Sequence, residues 1–207
     1  MRRIALLLPG LLVALCLTGC GQATTAVTAD DMSMGNPKAK VTIVEYASVA
    51  CPHCGRWNSD VFPAFKAKYI DTQRVRYVLR EALTGDPSIA AAGFLTARCA
   101  GKDKYFGVVD DIYHAQGDME QTGQPHQILL NIARSAGLTD SQFENCITND
   151  EALAALNARW DSYMKQGITG TPTFVINGKV YDKGEMSMAQ IDAAISQAEA
   201  GGKASSP

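Results

Sequence analysis

Apolar and polar positions divide the chain into stretches of different period. Ile4 to Leu17 is almost wholly apolar behind Arg2 and Arg3. It is too short to span a bilayer comfortably as a permanent helix and reads as a secretory signal. Residues 21–40 are rich in Ala, Thr, Asp, Met and Gly and show no period, which predicts a tether. As a flexible coil it would reach about 25 Å, or ~65 Å fully extended. Val41 to Ser48 (VTIVEYAS) is β-branched and apolar enough for a buried strand. From Pro52 to Tyr69, Trp57, Val61, Phe62, Phe65 and Tyr69 recur at helical spacing. Pro52 suits the first helical position, where its missing N–H costs nothing. Arg74 to Glu81 predicts a second strand, which completes a βαβ unit.

After Asp86-Pro87 the texture becomes alanine-rich and helical over Ser88–Ala100, Lys104–His114, Pro125–Ala136 and Thr139–Cys146. Glu151–Gln166 shows the clearest period, with Leu153, Leu156, Trp160 and Met164 on one face and Gly167 at its end. Thr171–Ile176 returns to strand character. Asn177-Gly178 marks a hairpin turn leading to Lys179–Tyr181, and Ser187–Ala200 predicts a last amphipathic helix. The order βαβ, helical block, ββα predicts an α/β architecture: a thioredoxin-like fold with an inserted α-helical domain. The expected organisation is a signal peptide over 1–19, a lipidated tether over 20–40 and a thioredoxin-like domain over 41–86 and 168–200. The inserted helical domain covers 87–167, and a disordered tail covers 201–207.

Leu17-Thr18-Gly19-Cys20 resembles the lipobox of bacterial lipoproteins, which predicts cleavage before Cys20 and a diacylglycerol on its sulfur. The alternative is an ordinary signal cut near Ala23 or Ala26. If Cys16 leaves with the signal and Cys20 is lipidated, four of the six cysteines remain, an even number in a disulfide-permissive compartment. Loss of Arg2 and Arg3 with no acid moves the formal net charge from −2 to −4. The chain is therefore mildly acidic with no basic patch, so nucleic acid is not an expected partner. Gly21 and Gln22 lack the aspartate that resembles an inner-membrane retention signal. The expected location is the cell envelope, on the periplasmic side, lipid-anchored, with the chain a monomer.

The candidate chemistry lies in Cys51-Pro52-His53-Cys54, at the first strand-to-helix junction. The nucleophile of disulfide exchange is a thiolate. Unpaired N–H groups and the dipole at a helix N-terminus favour an anion at Cys51. His53 adds a donor, and a positive charge when protonated. Cys54, one turn further in, is the natural resolving cysteine. Glu45 interrupts an apolar strand six residues before Cys51, where burying a charge is costly. It reads as a partly buried acid exchanging a proton with Cys54, or alternatively as a side chain pointing outward at a strand end. Thr171-Pro172 lies between a loop and a strand, and leaves a backbone edge with which a substrate strand can pair.

On these features the chain resembles the DsbA family of thiol–disulfide oxidoreductases. The resemblance rests on the strand with Glu45, the Cys51-Pro52-His53-Cys54 motif, the helical insertion and Thr171-Pro172, and covers residues 36–200. It implies that Cys51 attacks, that Cys54 resolves, and that Pro172 is cis beside them. It also implies substrates that are thiol-containing secreted proteins and a membrane quinone-linked reoxidant, without an organic cofactor or metal. A lipobox departs from the soluble periplasmic type of this family. Some relatives carry a second, non-catalytic disulfide, which Cys99 and Cys146 in the insertion would supply; the alternative is two buried thiols.

A zinc half-site lacks a second ligand pair, since Cys99 and Cys146 form no CxxC, and His114 and His126 stand isolated. Trp57 and Trp160 read as core residues. Two further functions remain open: an anchored reductase or isomerase, and a non-catalytic peptide-binding holdase. Net disulfide donation is preferred, because isomerases of this fold usually add a dimerisation domain, for which residues 21–40 are too short.

Overall fold

The computed structural model describes residues 26–182 and 184–201. The signal peptide, Cys20 and most of the C-terminal tail therefore lie outside the described residues. Five strands form one sheet in the order β1-β3-β2-β4-β5. They are β1 (Met32–Gly35), β2 (Val41–Ala47), β3 (Val75–Glu81), β4 (Thr173–Ile176) and β5 (Lys179–Tyr181). β2 and β3 run parallel, and the β1–β3, β2–β4 and β4–β5 pairs are antiparallel.

The sheet corrects the expected tether. Residues 32–35 are not a free spacer but an edge strand, with Met32 opposite Leu79 and Gly35 opposite Arg76. The segment MSMG alternates Met with Ser and Gly, but over only four residues, and its extended form is supplied by pairing with the edge of β3. Met32 is buried there.

α1 (Pro52–Asp60) follows β2. The single helix expected to Tyr69 instead breaks into α1, α2 (Phe62–Phe65) and a π-turn over Lys66–Ile70. Pro63 has no N–H to donate to the carbonyl of Ser59, and Val61 relaxes to φ −119° at the break. The insertion contains α3 (Pro87–Cys99), α4 (Tyr105–His114), α5 (Gln116–Thr122), α6 (Pro125–Ser135), α7 (Asp140–Ile147) and α8 (Asp150–Lys165). α5 has no apolar period and is not among the helices the sequence predicts. Its end is closed by Gly123 at φ +65°, a conformation in which glycine carries no Cβ penalty. Cys99 of α3 and Cys146 of α7 form a disulfide. α9 (Met188–Gly201) returns to the sheet.

Strand alternation separates two cores. Val41, Ile43 and Ala47 of β2 face Trp57, Phe65, Phe174, Ile191 and the insertion. Val44, Tyr46, Val78 and Val175 face the other side, against Tyr163 and Ile168, with Trp160 half-buried beside them. α8 therefore presents Leu156 and Tyr163 inward, whereas Met164, expected on its apolar face, is 44% exposed. An aromatic side chain one residue earlier fills the space, its ring edge-on to Tyr46 at 5.0 Å. At the end of β3, the buried Glu81 carboxylate is bound by Arg98 at 2.6 Å, Arg159 at 2.8 Å and Tyr105 at 2.9 Å, which ties the sheet to three insertion helices.

Candidate active site

Three loops meet at the C-terminal end of β2. The first, residues 48–51, carries the nucleophile. The Cys51 N–H donates to the Ser48 carbonyl at 3.1 Å, and Ser48 Oγ accepts from the Ala50 N–H. Cys51 is the N-cap of α1, with φ −97° and ψ 119°, and Pro52 opens the first turn. Its sulfur therefore sits over the free N–H groups of that turn.

Cys51 is 7% exposed and Cys54 fully buried, and both are free thiols. The Cys54 thiol, hydrogen-bonded to Cys51, is the largest influence on the Cys51 sulfur. With help from the Thr171 side chain and the N–H groups of Cys54 and His53, it lowers the Cys51 pKa to about 5 against the opposing effect of burial. Burial and the neighbouring Cys51 push the Cys54 thiol the other way, well above its ordinary value. The two sulfurs are thus chemically distinct: an anion near the surface and a thiol beneath it.

Glu45 lies on the face of β2 that α1 covers. Its carboxyl group is 2% exposed and accepts a 2.6 Å hydrogen bond from the Tyr77 hydroxyl. Burial raises its pKa to about 8, with the Tyr77 bond opposing and Cys51 adding to the rise. Cys54 and Glu45 interact electrostatically. The side chain points inward, and the alternative of an outward carboxylate is not what the strand adopts.

The His53 imidazole is not aimed at the sulfur. Its Nδ1 lies 2.7 Å from Glu185 Oε1 and 2.6 Å from Arg56 Nη2, and the side chain is 63% exposed. What His53 gives Cys51 is its backbone N–H. The expectation of an imidazole donor is corrected accordingly: two residues past the N-cap, the side chain projects outward from the helix while its N–H points back at the sulfur.

The second loop ends in the Thr171-Pro172 peptide bond, which is cis. The Thr171 carbonyl oxygen lies 3.5 Å from Cys51 Sγ. The third loop follows β3, where Thr84 contacts both of the others. From the insertion, Gln116 Nε2 donates to the carbonyls of Val49 at 2.8 Å and Cys51 at 3.1 Å. A groove of about 590 Å³ beside the dithiol is lined by Val49, Pro52, Arg56, Ile89, Tyr113 and Met119, among others. Thr84, Gln116 and Glu185 escape sequence reasoning because they are polar residues in aperiodic stretches. Tyr77 was within reach, since alternation puts it on the same face as Glu45. Among the described residues no group of three or more His, Cys, Asp or Glu is placed to hold a metal ion.

The arrangement is that of an exchange dithiol, and comparison with known proteins agrees. The family model described as thioredoxin matches residues 27–197. A protein of Rickettsia conorii, provisionally named a protein-disulfide oxidoreductase, is 33% identical over 179 residues, 86% of this chain and 63% of that protein. This chain thus spans just under two thirds of that relative's length. A Rickettsia bellii protein of the same provisional name is 32% identical over 86% of this chain and 68% of its own length. Among solved structures, α-DsbA1 of Wolbachia pipientis superposes with a TM-score of 0.74 at 25% identity, covering 86% of this chain and 94% of that one. Oxidised BdbD of Bacillus subtilis shares the fold, with a TM-score of 0.70 at 23% identity over 81% and 92% of the two chains.

Proposed function

We propose, on the premise that the chain belongs to the thioredoxin family and within it to the DsbA-type protein-disulfide oxidoreductases, that it donates disulfides to thiol-containing secreted or envelope proteins. The observation that carries this reading is the opposite displacement of the two thiol pKa values, with Cys51 at about 5 and Cys54 raised. A thiolate stabilised at Cys51 stabilises the reduced dithiol, and a stabilised reduced form makes the disulfide the stronger oxidant.

The cycle begins with the Cys51–Cys54 disulfide. A substrate thiolate attacks Cys51 Sγ, forming the mixed disulfide and breaking the bond to Cys54, which leaves as a thiolate. Glu45, protonated at neutral pH, supplies the proton that the buried Cys54 sulfur needs. A second substrate thiolate then attacks the substrate sulfur and expels the Cys51 thiolate. The substrate loses two electrons and two protons to form its disulfide, and the enzyme's disulfide becomes the dithiol. The backbone edge next to Pro172 pairs with the substrate strand while this occurs.

A membrane quinone-linked protein takes the electrons from the reduced dithiol. Lipidation at Cys20 places the monomeric domain at the envelope membrane. The competing direction, reduction or isomerisation by a dithiol kept reduced, is separated from this one by the reaction itself. Oxidised protein mixed with a reduced, unfolded two-cysteine substrate forms the substrate disulfide stoichiometrically if the reading is right. A reductase instead leaves that substrate reduced and opens its disulfide when supplied with a reductant.

A further inference from the structure

We propose that Thr84 is a positioning residue for disulfide exchange, whose hydroxyl orients the Thr171 hydroxyl toward the Cys51 sulfur. The inference deepens the proposed function and rests on Cys51 being the exchange thiolate.

Thr84 touches both loops that frame the sulfur. Its carbonyl accepts a 2.7 Å hydrogen bond from Ser48 Oγ, the same oxygen that caps the Ala50 N–H in the nucleophile loop. Its own Oγ1 is in short hydrogen-bond contact with Thr171 Oγ1 in the loop before β4. The next residue fixes the approach. Gly85 has φ +77°, and a Cβ there would run into the Ala50 carbonyl, so residues 84–85 lie directly against the nucleophile loop. Thr84 is thus held by its backbone to one loop and joined by its side chain to the other.

Two hydroxyls in contact share one proton between them, so either oxygen can be the donor. The Cys51 sulfur decides the direction. Thr171 stands against that sulfur, its carbonyl oxygen 3.5 Å from Cys51 Sγ and its side chain among the groups that favour the anion, and a thiolate is a stronger acceptor than a neutral hydroxyl. The Thr171 proton is therefore directed to the sulfur, and the Thr171 oxygen, left as an acceptor, takes the Thr84 proton. The result is a chain from Thr84 O–H to Thr171 O–H to the Cys51 anion, each donor polarised by the one behind it. In the disulfide the sulfur carries no charge, and the chain is free to reverse. Thr84 thereby supports the reduced state without touching sulfur or substrate.

The test titrates the Cys51 thiolate by its ultraviolet absorbance in the reduced full chain. The variants are Thr84→Val, Thr84→Ser, Thr171→Val and the double T84V/T171V, with thermal melting run alongside. Thr84→Val is expected to weaken Cys51 acidity about three- to tenfold, the loss of part of one charge-assisted hydrogen bond. Thr84→Ser is expected to restore the wild-type titration, since a serine hydroxyl donates equally. T84V/T171V is expected to shift no further than T171V, because Thr84 acts through Thr171. Thr84→Ala carries the same prediction without the added methyl group and stands in if T84V does not fold. Wild-type titration in T84V or T84A, or additive shifts in the double variant, would overturn the role of Thr84. A wild-type chain whose Cys51 titrates like an ordinary thiol would instead overturn the exchange reading itself.

Discussion

The Tyr77 hydroxyl donates a 2.6 Å hydrogen bond to the Glu45 carboxyl group in the fully buried layer beneath α1. The pairing explains how a strand interior tolerates an acid. One oxygen is satisfied by Tyr77, and the group remains protonated across most of the physiological range because burial raises its pKa to about 8.

That arrangement makes stability pH-dependent. Below the ordinary value of 4.5 the group is protonated in both the folded and the unfolded chain, and its contribution is complete. As pH rises from there through about 8, the unfolded chain ionises first and folding stability falls. The loss over the whole window is on the order of 5 kcal/mol for one fully buried group. Denaturant unfolding of reduced Glu45→Gln across this range should lack most of that decline. The same variant should slow release of Cys54 from the mixed disulfide at neutral pH, read by stopped-flow thiol exchange.

Cys51 shows the opposite linkage. Its folded pKa lies below the ordinary 9.0. The thiolate therefore stabilises the reduced protein fully at alkaline pH, and the contribution disappears as pH falls through about 5. Alkylation with iodoacetamide should follow a single titration near pH 5 and modify Cys51 alone, since Cys54 is buried and protonated. Cys51→Ser should abolish both the reaction and all exchange activity.

The Cys99–Cys146 bridge closes a separation of 47 residues between α3 and α7. In the chain-entropy account, a loop of this size contributes roughly 2–4 kcal/mol. C99A/C146A should lower stability by that amount in denaturant unfolding and leave exchange through Cys51–Cys54 intact, because both cysteines lie in the insertion.

Gly55 and Gln116 form a lock across the domain junction. Any side chain at 55 would meet the Gln116 amide, which holds the Val49 and Cys51 carbonyls. Gly55→Ala should destabilise by about 1–3 kcal/mol, despite alanine's better helix propensity, by displacing that amide. G55A/Q116A should cost less than the sum of the two single changes, since both disrupt one contact. Thermal unfolding of the four proteins checks the cycle.

Much of this was legible in the sequence, for reasons that differ by residue. The strand Val41–Ala47 and the helix opening at Pro52 declare themselves by period and by proline chemistry, which fixes Cys51 at a helix N-terminus. Glu45 is conspicuous as an acid among β-branched residues. Residues 32–35 are hidden because a two-methionine alternation over four residues is too short to stand out, and their strand state is completed by the β3 edge. Met164 lies outside the core, contrary to the helical period, because that period leaves the orientation of the core face uncertain by one position, and Tyr163 fills the place. His53 was read by residue type, whereas the outward direction of its side chain from the first turn of α1 and the carboxylate of Glu185 decide its contacts. Thr84 and Gln116 act through single hydrogen bonds from distant loops, and no local signal encodes those.

The reduction potential of the Cys51–Cys54 pair, by equilibrium with glutathione on the full chain and in parallel on C99A/C146A, tests the central claim most directly. Disulfide donation predicts a potential at the oxidising end of thioredoxin-fold dithiols, above about −180 mV. A value at or below about −230 mV would contradict it and make the protein a reductase.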